Sequence, residues 1–304
     1  MNWNADCFNY HGRWQDTPDG KKAHWLKPYF EFCFKGTSFK IICDDVKKLV
    51  VYIDGVYCAS NSEGTVAEFN VDDGEHLIRA ISTSAGNPLI FKGVETEGKL
   101  SRAKSRDRYI LFLGDSLTEA NASHAFVIPK TIDCDYTVLA KGGMALRDKK
   151  GYYPLPEDRT EREGLEVAFF HYQAPAELGK RDEYSFENER QPESIVLNIG
   201  TNDALNAESE KQDFINHYVA FVKKLREIYP EAKIYAALPK ADHESGWRLK
   251  IIEAAALETE KQVNNVQYVC SREWDVEISS DKVHLTDNGY AQYADCLMSV
   301  MGLK

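Results

Sequence analysis

Apolar and polar positions follow two different rhythms along this chain. From about Tyr29 to Val94 the sequence runs through "YFEFCF", "SFKIIC", "LVVYIDGVYCA", "TVAEFNV", "HLIRAIS" and "LIFKGV". These are short runs rich in aromatic and β-branched residues, separated by turn signals such as Asp54-Gly55, Asp73-Gly74 and Gly86-Asn87. No helix-period segment of useful length interrupts them. The pattern predicts an all-β domain of the sandwich or jelly-roll kind.

After the polar stretch "EGKLSRAKSRDR" the rhythm changes. Apolar runs "YILFLG", "YTVLA", "SIVLNIG", "KIYAAL" and "VQYVC" now alternate with helical patterns. Phe214, Tyr218, Phe221, Val222 and Leu225 recur at helical spacing, which predicts an amphipathic helix over 209–229. Such alternation reads as an α/β domain, a parallel sheet covered by helices on both faces. The boundary falls near residue 104, giving a β domain at 1–104 and an α/β domain at 105–304.

Composition narrows the choice of partner. The 304 residues are 43% hydrophobic and 28% charged, an ordinary globular balance, with a formal net charge of −11. That charge argues against nucleic acid or an anionic membrane surface as the main partner. The cations of Lys141 to Lys150 read as a solvated loop. No stretch approaches the roughly 18 apolar residues needed to cross a bilayer. The start "MNWNADCFNYHGRW" lacks a basic region followed by an apolar one. Seven cysteines without paired spacing read as reduced thiols, so a cytoplasmic protein is expected.

Candidate chemistry sits where predicted strands end. "ILFLGDSLTEA" breaks into Gly114-Asp115-Ser116, "AKGGMALRD" carries Gly143, and "LNIGTNDA" carries Asn202 and Asp203. "SSDKVHLTDNGY" supplies Asp281 and His284 just before the last helix. In a parallel sheet the carboxyl ends of the strands form the rim where ligands bind, so one rim can gather all four segments. Ser116 Oγ would attack an acyl carbon, with His284 taking its proton. Asp281, three residues before His284, would orient the imidazole. The backbone N–H groups of Ser116 and Gly143 and the Asn202 amide would form an oxyanion hole. Asp115 and Asp203 would buttress their turns. Taken alone, Asp115-Ser116 also reads as a helix cap, as do Asp281, His284 and Asp287. No His, Cys or carboxylate group has metal-like spacing, so neither metal nor cofactor is expected.

These four blocks in this order resemble the SGNH hydrolases, also called GDSL esterases. The resemblance implies a flavodoxin-like three-layer fold in which the blocks supply Ser, Gly, Asn and His. "YHGRW", "FEFCFKGTSF", "VYIDG", "DDGEHLIRA" and "FKGVE" leading into "FLGDSLT" look like the jelly-roll module of family 2 carbohydrate esterases. That resemblance implies removal of O-acetyl groups from sugars or oligosaccharides, as from xylan and glucomannan, through an acetyl-enzyme.

Two departures stand out. The family continues its nucleophile block as GDSIT-C-G-Y-G, whereas this chain reads "GDSLTEANAS". Some members orient the histidine with a backbone carbonyl, while here Asp281 is available and Asp275 is a conceivable substitute. Rival readings are an esterase, thioesterase or acyltransferase for another short acyl group, and a glycan-binding protein with a vestigial hydrolase domain. The region from Lys141 to roughly Pro192 is long for an α/β domain and reads as functional or mobile. Its aromatics Tyr152, Tyr153, Phe170 and Tyr172 could stack on a sugar, though packing the loop against the body is the commoner role for any single one.

Overall fold

The computed structural model describes residues 2–59, 64–83, 87–240 and 246–304. Gly86 of the expected Gly86-Asn87 turn lies outside the described residues. The chain divides into two compact units, one of Met1–Ser105 with Tyr172–Arg181, the other of Arg106–His171 with Asp182–Lys304.

The first unit is built from strands β1 (Asn9–Thr17), β2 (Gly20–Cys43), β3 (Leu49–Ile53), β4 (Val56–Cys58), β5 (Val66–Ser82), β6 (Ile90–Glu95) and β7 (Lys99–Ser101). The long β2 is the hub, pairing antiparallel with β1, β5 and β7 and pairing also with β6. Asp54-Gly55 makes the two-residue hairpin between β3 and β4, with φ of 52° and 80° that only left-handed turns use. Asp73-Gly74 does not make a turn. It lies inside β5, where Gly74 pairs with Gly36 of β2 and the register slips between Gly36 and Ser38. Facing glycines let both strands kink together while the ladder continues, so four expected strands merge into two long ones. Aromatic rings fill the core. Phe8 stands edge-on to Phe30, Phe32 and Phe91 at 5.1–5.9 Å between centroids.

Tyr172–Arg181, expected to belong with the hydrolase-like part, joins this β unit. The buried Glu177 carboxylate is the reason. Its Oε2 lies 2.6 Å from His24 Nδ1, and its Oε1 accepts the N–H groups of Trp25 and Ala174 at 3.0 Å.

The second unit is α/β. Strands β8 (Tyr109–Gly114), β9 (Asp135–Ala140), β10 (Ser194–Asn198), β11 (Lys233–Ala237) and β12 (Val266–Val269) form a parallel sheet in the order β12-β11-β10-β8-β9. This is the flavodoxin-like order. Every residue of β8, β9 and β10 is buried, which explains why these strands read as continuous apolar runs. The helices are α1 (Ser116–Glu119), α2 (His124–Ile132), α3 (Leu165–Ala168), α4 (Lys211–Ile228), α5 (Trp247–Gln262) and α6 (Asp287–Met301). Helix α4 buries Phe214, Tyr218, Phe221, Val222 and Leu225, the stripe that its spacing predicts.

Candidate active site

At the end of β8 the chain makes a turn that only glycine permits at its first position. A Cβ on Gly114 would meet Thr118 Oγ1 at 2.1 Å and the Asn198 carbonyl oxygen at 2.5 Å. Asp115 follows as the cap of α1, its Oδ1 accepting the Leu117 N–H at 3.1 Å. The cap places Ser116 in the first turn of α1. Burial pushes the Asp115 carboxyl up to about 7.

Ser116 Oγ lies 2.8 Å from His284 Nε2. On the other side of the ring, His284 Nδ1 lies 2.6 Å from Asp281 Oδ2. Asp281 Oδ1 accepts the backbone N–H groups of Val283 and His284 at 2.9 Å and the Ser279 hydroxyl at 2.6 Å. These donors, led by the His284 N–H, hold the Asp281 carboxyl well below the usual carboxylate range. An ionised carboxylate only accepts, so Nδ1 carries the proton and Nε2 faces the serine hydroxyl as an acceptor. Asp281, not Asp275, is the carboxylate that His284 Nδ1 meets. The segment is held by the Ser279 N–H donating to the His284 carbonyl at 2.8 Å, and Thr286 then caps α6 through the Gly289 N–H.

Gly143 follows β9 with φ of 79°, and a Cβ there would meet the Tyr153 nitrogen at 2.6 Å. Among the described residues, the N–H groups of Ser116 and Gly143 have no acceptor. Both residues are half-buried. Asn202 follows β10. Its Nδ2 donates to the Met144 carbonyl at 3.0 Å and lies 3.4 Å from Asp115 Oδ2, joining the second and third blocks to the nucleophile turn.

Asp203 is fully buried and accepts the backbone N–H groups of Leu146 and Arg147 at 2.8 and 2.9 Å. Burial pushes its carboxyl up despite these donors. Arg147 also turns its guanidinium on Asp203, Glu210 and Asp213, with Nη1 at 2.9 and 2.7 Å from the last two and Nη2 donating to the Asp203 carbonyl. Residue 147 was expected to lie in a solvated loop, yet its side chain is 4% exposed. The signal that could have found it is the density of acids at Asp203, Glu210 and Asp213, three carboxylates that need a shared cation.

The other candidates have structural settings. His124 is buried between Phe112 and Tyr293, and burial pushes its imidazole down to about 3. Tyr153 is buried and accepts the Glu163 N–H. Phe170 packs on Phe169 and Phe186. Tyr172 belongs to the β unit. Tyr152 is 61% exposed, and its N–H donates to the Gly143 carbonyl at 2.7 Å.

The chain is similar to several known proteins. A cellulase/esterase, CelE, of Acetivibrio thermocellus is 25% identical over 260 residues, 75% of this chain and 30% of that protein. An acetylxylan esterase/glucomannan deacetylase of Cellvibrio japonicus is 26% identical over 241 residues, 66% of this chain and 64% of the relative. The chain thus spans less than two thirds of the length of either. Among solved structures, a family two carbohydrate esterase from Cellvibrio japonicus superposes with a TM-score of 0.82 at 19% identity, covering 100% of this chain and 96% of that one. One from Clostridium thermocellum in complex with cellohexaose gives 0.77 at 19% identity, covering 97% and 98%. The fold is that of the family 2 carbohydrate esterases. The model of the GDSL-like lipase/acylhydrolase family matches residues 112–292, more than half of the sequence, and the chain belongs to that family.

Proposed function

We propose that this protein is a serine esterase that removes O-acetyl groups from sugars or oligosaccharides. The observation that carries the reading is the relay from Ser116 Oγ to His284 Nε2 at 2.8 Å and from His284 Nδ1 to Asp281 at 2.6 Å. Both distances lie within the reach that proton transfer needs.

In this mechanism Ser116 Oγ attacks the acetyl carbonyl carbon while His284 Nε2 takes its proton. The ionised Asp281 holds the Nδ1–H and stabilises the imidazolium. Charge gathers on the former carbonyl oxygen, toward which the N–H groups of Ser116 and Gly143 donate. The Asn202 amide adds a third donor by relaxing its long contact with Asp115. The intermediate collapses as His284 passes its proton to the departing sugar oxygen. Water then attacks acetyl-Ser116 with His284 again as base, and acetate leaves. The curated relatives, named as an acetylxylan esterase/glucomannan deacetylase and a cellulase/esterase, support a carbohydrate ester as substrate.

The test is acetate release from a panel of acetylated mono- and oligosaccharides, with longer acyl esters alongside and Ser116→Ala as control. Activity confined to short acyl groups on sugars, lost in the control, is the expected result. Turnover of other acyl esters, or acyl transfer to an added alcohol in preference to water, would keep the serine chemistry and remove the deacetylase assignment. Glycan retention without turnover, unchanged by Ser116→Ala, would overturn the esterase reading.

A further inference from the structure

The block after the nucleophile departs from the family pattern at Glu119, and the structure gives that residue a place beside the oxyanion site. Glu119 closes the four-residue α1, three positions after Ser116, so its side chain leaves the helix on the face that carries the serine. Its Oε2 accepts the Gly142 N–H at 2.5 Å. Its Oε1 lies 3.3 Å from Lys141 Nζ. Both partners belong to the loop that follows β9 and carries Gly143.

Adjacent glycines give that loop more backbone freedom than an oxyanion donor can tolerate, because a donor must be aimed before the charge develops. The loop is tied on both sides. The Met144 N–H closes a turn onto the Lys141 carbonyl at 2.9 Å, and the Gly143 carbonyl accepts the Tyr152 N–H at 2.7 Å. The Gly142 N–H is taken by Glu119. Of the three consecutive N–H groups at 142, 143 and 144, only that of Gly143 is left for a ligand. The tie acts right at the nucleophile, since a Cβ on Gly142 would stand 3.7 Å from Ser116 Cβ. A carboxylate this close to a developing oxyanion would oppose it, and the Lys141 ammonium offsets that charge.

We propose that Glu119 is a positioning residue that fixes the Gly143 N–H as an oxyanion donor by accepting the neighbouring Gly142 N–H. The inference rests on the acyl-enzyme reading above. It assigns the position where this chain departs from the family pattern, and it makes hydrogen-bond acceptance, with the right reach, the property required there.

The test compares Glu119→Ala, Glu119→Gln and Glu119→Asp in the full chain. The readouts are p-nitrophenyl acetate turnover, the rate of Ser116 labelling by a fluorophosphonate, and thermal melting as a check on folding. Glu119→Ala is expected to lower kcat by roughly 10- to 100-fold with KM within about twofold, and to slow phosphonylation in parallel. Glu119→Gln keeps an acceptor oxygen and is expected to recover most of that loss. Glu119→Asp keeps the charge but falls one methylene short, and is expected to behave like Ala. Should the Ala variant fail to fold, the Asp and Gln variants carry the comparison with the same thresholds. Glu119→Ala within about threefold of the parent, a loss in KM alone, or Gln no better than Ala with normal melting would each overturn the inference. The parent labelled at Ser116 and the Ala variant labelled as fast sinks this inference alone. A parent neither labelled nor active sinks the esterase reading and this inference with it.

Discussion

Asp281 grips His284 twice, through the imidazole Nδ1 at 2.6 Å and through the backbone N–H at 2.9 Å. One carboxylate thus fixes both the position of the residue and the tautomer of its ring. Asp281→Asn puts an amide donor within reach of a nitrogen that is itself a donor, favouring the wrong tautomer. We expect kcat to fall by between about 10² and 10⁴, the lower end reflecting a carboxylate that is half exposed. The depressed carboxyl stays ionised until the pH falls well below the usual carboxylate range, so no loss of rate between pH 5 and 8 should trace to Asp281 itself. A loss below tenfold in the kcat of acetate release would leave a dyad in its place.

Asn202 presents a more demanding case, because its amide already serves the Met144 carbonyl. If it also donates to the oxyanion, Asn202→Ala should cost on the order of 10² to 10³ in kcat, the usual size for one such donor. It should also lower the melting temperature, since the Met144 carbonyl loses its partner. Measuring kcat alongside thermal melting separates the two effects. A melting shift with less than a tenfold change in kcat would make Asn202 purely structural.

The strands of the parallel sheet could be read from residue pattern, because buried parallel strands leave uninterrupted apolar runs, and three of the four candidate blocks stand where such runs stop; the order of the strands followed only from the family resemblance. Helix α4 was legible from the stripe Phe214, Tyr218, Phe221, Val222 and Leu225. Helix α5 was not, since beyond Ile251 and Ile252 its buried face is made of the small Ala255, Ala256 and Thr259, which leave no strong apolar stripe. Asp73-Gly74 reads as turn punctuation, yet Gly74 pairs with Gly36 inside two continuous strands and kinks them together. Contacts made by long side chains across many residues were out of reach, such as Glu177 on His24, Glu119 on Gly142 and Arg147 on Asp203. They depend on which loops meet, and periodicity does not report that.

The buried Asp115 makes stability depend on pH. Its folded-state value of about 7 lies above the ordinary 3.8, so between those values the native chain holds a proton that the unfolded chain has released. Native stability therefore falls as pH rises through that window and levels off above it. Asp115→Asn removes the titration while leaving an oxygen for the Leu117 N–H. The stability of the variant relative to the parent should rise by on the order of a few kcal/mol from pH 4 to pH 7. Denaturant unfolding at several pH values checks this, and parallel curves for the two proteins would contradict it.

Arg147 lets one cation serve Asp203, Glu210 and Asp213, and of the three only Asp203 is fully enclosed. Arg147→Met fills a similar volume but leaves the Asp203 carboxylate buried without its cation. Breaking a buried pair in this way destabilises by about 3 to 5 kcal/mol, because the surviving charge has no water to replace its partner. Asp203 also accepts the N–H groups of Leu146 and Arg147, just beyond Gly143 and Met144, so strain at Asp203 should reach the oxyanion loop and lower kcat as well as stability. Asp203→Asn in the Arg147→Met background removes the uncompensated charge and should recover part of the lost stability. It should not restore kcat, because an amide offers one oxygen where the carboxylate offers two to the loop. Unfolding and kinetics on the single and double variants test both halves, and a double variant no more stable than Arg147→Met would show that the buried charge is not what the arginine is there to balance.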